Sequence, residues 1–83
     1  MDTTSELNVV LAELGREVRA ERVRRGLSRI QVAERAGISA TQVGKIERGD
    51  RGQLHEALRV AGALGFSLGE AINRAEERAA ESS

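Results

Sequence analysis

The sequence predicts an all-α protein, a compact bundle of five helices. Apolar residues recur at helical spacing along the chain, and no stretch alternates apolar and polar residues as a strand would. At five points a helix-capping residue is followed three positions later by Glu or Gln: Thr3, Ser28, Ser39, Asp50 and Ser67. None of the 83 residues is proline, the residue that most strongly interrupts helices.

Four glycines mark the expected helix ends. The residue after a helix often has a positive φ, which glycine adopts without a Cβ penalty. The glycines at these positions are Gly26, Gly37, Gly49 and Gly65. Caps and glycines together predict helices over residues 4–25, 28–36, 39–48, 51–64 and 68–80.

Each predicted helix carries an apolar stripe that can pack against its neighbours. The candidate core residues, helix by helix, are Leu7, Leu11, Leu14, Val18 and Val23; Ile30, Val32, Ala33 and Ala36; Val43 and Ile46; Leu54, Ala57, Leu58, Ala61 and Leu64; and Leu68, Ala71, Ile72 and Ala75. Leu27, Ile38 and Phe66 are expected to fill the turns.

Length and composition limit the class of protein. Residues 1–83 are expected to form one domain that buries roughly 60% of its unfolded surface and leaves no pocket of enzyme size. No cysteine is present, so a disulfide or thiolate metal site is excluded. The longest apolar run is VVLA, too short for a signal peptide or a membrane span. We expect a cytoplasmic protein without a cofactor, with a frayed tail at residues 81–83.

The charges are unevenly distributed, although the whole chain is neutral, with 13 basic and 13 acidic residues. Residues 13–51 hold ten Lys or Arg against six acids, a net charge of +4, and each flank carries a net charge of −2. A basic middle segment attracts phosphate groups, although a solvated helical surface would also carry mixed charge.

Helices two and three form the most specific motif. Only Gly37-Ile38-Ser39 separates them, and so short a turn forces a steep crossing, as in a helix-turn-helix over residues 28–48. Ala33 is small where the two helices come closest, and Gly37 lies in the turn. Four apolar residues fall on the inward faces: Val32, Ile38, Val43 and Ile46.

The chain resembles the Xre or Cro/CI family of lambda-repressor-like helix-turn-helix regulators. The resemblance runs from LGREVRAERVRRGLSRIQVAERAGISATQVGKIERGD through ALGFSL, roughly residues 14–72. It implies that the third helix lies in the major groove of double-stranded DNA and that a homodimer binds two half-sites. Residues 1–13 then extend the family's first helix at its amino-terminal end.

The resemblance also implies roles for particular residues. It places Ala40, Thr41 and Lys45 on the groove side of helix three with Gln42 beside them, and Ser39 and Arg29 against the DNA backbone. The family commonly has glutamine where this chain has Arg29. A family ion pair between helices one and three matches Arg22 and Glu47.

The chemistry of these side chains suits base recognition. Thr41 can contact a thymine methyl group or a base edge, Gln42 can bind adenine with two hydrogen bonds, and Lys45 can donate to guanine. Arg48 and Arg51 are expected to contact phosphates. The loop GDRGQ is one residue shorter than is usual in the family and lacks its proline, so a shift of Arg51 from the family position is expected.

Gly44 has two interpretations, because glycine inside a helix costs about 1 kcal/mol relative to alanine. The missing side chain either lets helix three approach DNA closely or is tolerated on an exposed face.

The dimer surface also has two candidates. The first is helix five with Phe66 or Leu68, and the second is the amino-terminal extension. Val9, Val10 and Leu11 then either cover helix five or form the interface.

Two other classes of function are alternatives to DNA binding. An enzyme is disfavoured, because the single histidine, His55, has no accompanying cysteine, second histidine or glycine-rich phosphate loop. A protein-interaction module, such as an antitoxin that binds a toxin or a protein controlled by an anti-repressor, remains the alternative. The sequence favours a dimeric repressor that binds a palindromic operator.

Overall fold

A computed structural model describes residues 3–66 and 68–82, with the backbone alone for residues 3–6, 68, 71, 75, 79 and 82. The α-helices are α1 (Thr3–Arg24), α2 (Arg29–Ala36), α3 (Ala40–Glu47), α4 (Leu54–Ala63) and α5 (Leu68–Ser82). The predicted all-α, five-helix architecture is confirmed. Most boundaries lie within one residue of their predicted positions, and two differ by more: residues 51–53 form a 3₁₀ turn before α4, and α5 continues two residues beyond its predicted end.

A capping box stabilises the amino-terminal end of each helix of the helix-turn-helix. Ser28 Oγ accepts from the backbone N–H of Gln31, whose Oε1 accepts from the N–H of Ser28. Ser39 and Gln42 form the same reciprocal box at the start of α3. Asp50 caps the next turn, as predicted, but its side chain accepts from the N–H of Gly52 and forms no reciprocal box with Gln53. The predicted caps Thr3 and Ser67 lie outside the described side chains.

The four predicted stop glycines all have positive φ, between 69° and 83°. At Gly49 the surroundings add a second requirement. A β-carbon there would lie 2.8 Å from the Cα of Ala12, which is closer than packed atoms approach. Glycine is therefore needed both for the turn after α3 and for contact with α1.

Residues from α1, α2, α3 and α4 form the buried core, together with Phe66 in the turn before α5. Its members are Leu11, Leu14, Val18, Val32, Ala33, Ala36, Val43, Ile46, Ala57, Val60, Ala61, Leu64 and Phe66. Val60 is fully buried but was not predicted. Leu58 and Ile72 are half-buried, and the side chains of the other three candidates in α5 (Leu68, Ala71 and Ala75) lie outside those described.

Four core predictions are wrong. Leu7, Val23, Ile30 and Leu54 are 37%, 59%, 62% and 44% exposed. The last three lie within two residues of a helix end. Apolar spacing identifies the inward side of a helix, but it does not say whether a neighbouring helix extends far enough to cover the terminal turn.

The long helix α1 packs most extensively on α5. Its carboxylates Glu13, Glu17 and Glu21 follow a four-residue spacing and are buried. Glu17 forms ion pairs with Arg74 and Arg78 of α5. The guanidinium of Arg74 also lies 4.8 Å from the ring centroid of Phe66, a distance typical of a cation–π contact.

On another side, the backbone of α1 lies directly against the end of α3. A β-carbon at Gly15 would lie 2.7 Å from the carbonyl oxygen of Glu47. No side chain therefore separates the two helices at this point, and α3 is held close to α1 at its carboxy-terminal turn.

Candidate nucleic-acid interface

The packing of α2 against α3 fixes the direction of the third helix. Ala33 is buried, and its carbonyl oxygen accepts from the backbone N–H groups of Gly37 and Ile38. Val32 and Val43 have no exposed surface. Because the inward side of α3 is fixed by this packing, the opposite side is presented outward as a rigid surface.

The four predicted base-contacting residues are not equally accessible. Thr41 is exposed, whereas Ala40, Gln42 and Lys45 are half-buried. Ala40 also packs partly against the core. Thr41 and Lys45, four residues apart, share one side of α3, and Thr41 is the one exposed residue among Ala40–Glu47.

Gln42 is partly occupied by its role as a cap. Its Oε1 accepts from the backbone N–H of Ser39 at 2.9 Å, which fixes the orientation of the side-chain amide. Recognition of adenine by two hydrogen bonds uses both this oxygen and the amide nitrogen. The capping box therefore competes with that role and leaves the Nε2 donors as the groups most readily available to DNA.

The pairing of charges reveals which cations remain free. Within the described part of the chain, Arg16, Arg22, Arg24, Arg25 and Arg29 pair with carboxylates. Over the same residues no ion pair forms at Lys45, Arg48 or Arg51, nor at Arg19 or Arg35 on other helices. The +4 segment thus has three uncompensated cations at the end of α3 and in the turn that follows.

Glu47 connects three parts of the fold. Arg22 donates to both of its oxygens, at 2.7 Å from Nε and 3.1 Å from Nη2, and a third donor of Arg22 bonds the carbonyl of Leu27 at 3.0 Å. These hydrogen bonds to the carboxylate of Glu47 raise the pKa of Arg22 above its ordinary value. The ion pair implied by the family resemblance is therefore present.

Arg29 contributes to the same network. Its Nε donates to Glu47 Oε1 at 3.2 Å, and 48% of its side chain remains exposed. One carboxylate thus faces two guanidinium groups, which leaves a net positive charge at this point. The half-exposed guanidinium of Arg29 remains able to approach a phosphate at the start of α2.

Gly44 is buried, so its interpretation as a tolerated position on an exposed face is wrong. A β-carbon at this position would lie 3.3 Å from Nη1 of Arg48. The guanidinium of Arg48 therefore lies over the site where a side chain of residue 44 would begin.

Gly15 is the position that sequence reasoning missed. Both Gly15 and Gly44 carry the same signal, a glycine inside a helix, which is unfavourable unless packing requires it. At Gly15 the limiting neighbours are the backbone carbonyls of Ile46 and Glu47, whereas at Gly44 the neighbour is a flexible side-chain end. Gly15 is therefore the stricter requirement, and it acts by positioning α3.

The described residues were also compared with the features of metal sites and membrane-spanning helices. His55 is exposed, and no three His, Cys, Asp or Glu side chains among these residues are grouped so that they could hold a metal ion. No helix in the described part of the chain has the length and apolar character needed to cross a membrane.

A family model described as a helix-turn-helix domain matches residues 13–75. The matched range starts within α1, contains α2, α3 and α4, and ends within α5, so it covers more than half of the chain. No curated protein and no solved structure matched.

Proposed function

We propose that this chain, which belongs to the helix-turn-helix domain family, is a sequence-specific regulator of transcription that binds double-stranded DNA. We place it in the Xre or Cro/CI group, as a repressor that occludes a promoter. One observation carries the proposal: the exposed side of α3 combines Thr41 with the uncompensated cations Lys45 and Arg48. Such a surface attracts phosphates and offers groups that can contact base edges.

The proposed contacts divide into two groups. Thr41, Lys45 and the Nε2 of Gln42 contact base edges, and the half-exposed Ala40 lies against a thymine methyl group. Ser39, Arg29 and Arg51 contact phosphates and fix the orientation of α3 without specifying sequence. The network at Glu47 supports this arrangement because it connects Arg29 to the end of the same helix.

The proposed active form is a homodimer. One helix that contacts three or four bases gains only about 1 to 3 kcal/mol from each, too little to select one site in a genome. Two helices related by a twofold axis would read a palindromic operator. We propose that its activity is controlled by the amount of the protein in the cell or by a protein partner such as an anti-repressor.

The two candidate dimer surfaces differ in what they expose. Phe66 is buried beneath Arg74, so it adds no exposed apolar surface to α5. Leu7 and Val9 are exposed on α1. Sedimentation of a Leu7→Ser/Val9→Ser protein distinguishes the surfaces: a folded monomer assigns the dimer to α1, and a retained dimer assigns it to α5.

A protein-interaction module, of which an antitoxin is one kind, is the second candidate function. The exposed apolar side chains of Val23, Ile30 and Leu54 favour it, because exposed apolar side chains can pack against a protein partner. This candidate predicts that changes at Thr41 and Lys45 leave the activity unaltered.

Selection of bound duplexes from a random library tests the proposal. We expect a palindromic site whose affinity falls steeply as salt rises, since counterions are released on binding. Thr41→Ala and Lys45→Ala should then weaken binding to that site and change its base preference. The matched control is Arg35→Ala, which removes another uncompensated cation, on α2. If all three variants bound the selected site with the same affinity and the same base preference, the proposal would be contradicted.

A further inference from the structure

The side chain of Arg48 does not extend away from the end of α3. It follows the last helical residue, Glu47, and its Nη1 lies close to Gly44, one turn back along the helix. Side chains on helices point toward the preceding turn, and at residue 44 no side chain stands in the way. The guanidinium therefore lies along the helix surface.

Arg48 also shares the side of α3 already assigned to base contacts. Thr41, Lys45 and Arg48 follow the spacing i, i+4, i+7, which places them along one helical side. Arg48 is exposed, and its guanidinium makes no ion pair or hydrogen bond within the described residues. All five of its donors are therefore available to a ligand.

We propose that Arg48 reads a guanine in the major groove and that the missing side chain of Gly44 provides the space in which its guanidinium lies. The proposal rests on the DNA-binding function proposed above. It gives Arg48 a specificity-determining role in place of the phosphate contact expected from the sequence. The planar guanidinium can donate two hydrogen bonds at once, to O6 and N7 of guanine. The hydroxyl of Thr41 has only one hydrogen to donate.

The two roles of Arg48 predict different results when the arginine is removed. A side chain that reads a base confers preference at one base pair, so its loss relaxes the preference there and has little effect elsewhere. A phosphate contact has no sequence information, so its loss weakens binding to all duplexes by a similar factor and lowers the salt dependence.

The experiment uses the full chain and the duplex selected from a random library. Affinities of the wild type, Arg48→Ala, Gly44→Ala and Arg51→Ala are measured for that duplex and for duplexes in which each base pair of the half-site is replaced in turn. Arg51→Ala is the matched control, since Arg51 is an exposed, uncompensated arginine just after α3. Thermal unfolding verifies that each variant is folded.

We expect Arg48→Ala to lose about 5- to 150-fold discrimination at one G·C pair and to retain the remaining preferences. Gly44→Ala should reduce discrimination at the same pair, because the new methyl group displaces the guanidinium. Arg51→Ala should lower the affinity for all of these duplexes by a similar factor.

Uniform weakening by Arg48→Ala, with every base preference intact, would overturn the proposal while leaving the DNA-binding function in place. If Gly44→Ala discriminated at that G·C pair as well as the wild type does, Gly44 would not be needed to make space for the guanidinium. A wild-type protein that binds no duplex would overturn the proposed function itself.

Discussion

Arg22 on α1 and Glu47 on α3 form an ion pair through two hydrogen bonds, of 2.7 and 3.1 Å. Only 13% of the arginine side chain and 2% of the glutamate side chain are exposed. A buried charge that loses its partner is strongly unfavourable, because water cannot replace the lost interaction. The orientation of α3 therefore depends on a residue of α1.

Arg22→Ala should lower the free energy of unfolding by about 3 kcal/mol, the lower end of the range for a broken buried pair. The lower end applies because Arg29 remains beside Glu47. Urea unfolding measures the change. Arg24→Ala is the matched control, since the Arg24 side chain is 73% exposed and its partner Glu21 keeps Arg25. Equal destabilisation of the two variants would contradict this account.

Gly15→Ala should destabilise the protein by roughly 1 to 3 kcal/mol, as overpacking does, despite the higher helix propensity of alanine. The added methyl group would press on the backbone carbonyls of Ile46 and Glu47, which cannot rotate away. Gly62→Ala is the control, because nothing lies within 4 Å of a β-carbon at that exposed position of α4. That variant should gain up to about 1 kcal/mol. A stabilised Gly15→Ala protein would show that α1 and α3 are not in backbone contact.

Glu21 should make the stability depend on pH. Hydrogen bonds from Arg24, and then from Arg25, hold the pKa of Glu21 below its ordinary value of 4.5. A depressed folded-state pKa contributes stability that is fully present above the unfolded-state pKa and is lost as pH falls through the folded-state pKa.

Glu21→Gln removes this contribution. The variant should melt below the wild type at neutral pH, and the difference should shrink once the pH falls below about 4.5. Thermal unfolding of both proteins across the acid range measures it. A difference that stays constant down to the lowest pH would mean that the carboxylate charge contributes nothing.

Ser39→Ala should remove the cap of α3 and cost about 1 kcal/mol. It also releases the side-chain amide of Gln42, whose orientation depends on the capping box. Ser28→Ala removes the equivalent box from α2 and should cost a similar amount. Under the proposed function only Ser39→Ala should change base preference as well as stability. Identical base preferences for the two variants would show that the α3 box has no part in recognition.

Local signals in the sequence predicted most of the helix boundaries. Positive φ at Gly37 and capping by Ser28 depend on a few neighbouring residues, so they can be inferred without a tertiary structure. Exposure of Ile30 could not be inferred, because it depends on how far other helices extend. The burial of Glu17 was also missed, since its partners Arg74 and Arg78 lie more than 50 residues away in the sequence.

The candidate site shows the same division. From sequence alone, the family resemblance placed Thr41 and Lys45 together on one side of α3. The sequence also assigned Gln42 both to a cap and to a base contact, and only the hydrogen bond to Ser39 reveals the competition between them. Likewise, the charge count identified a basic segment, but only the ion pairs among the described residues show that three of its five unpaired cations, Lys45, Arg48 and Arg51, lie at the end of α3 and in the turn that follows.

The most direct test of the central claim is a titration of the labelled protein with its selected duplex, followed through the backbone amide signals by NMR. We predict that the largest changes fall within residues 39–51, with smaller ones near Arg29. Signals from α5 should move little unless the dimer forms there. Changes centred on α1 or α5, with residues 39–51 unaffected by DNA, would contradict the assignment of α3 as the recognition helix.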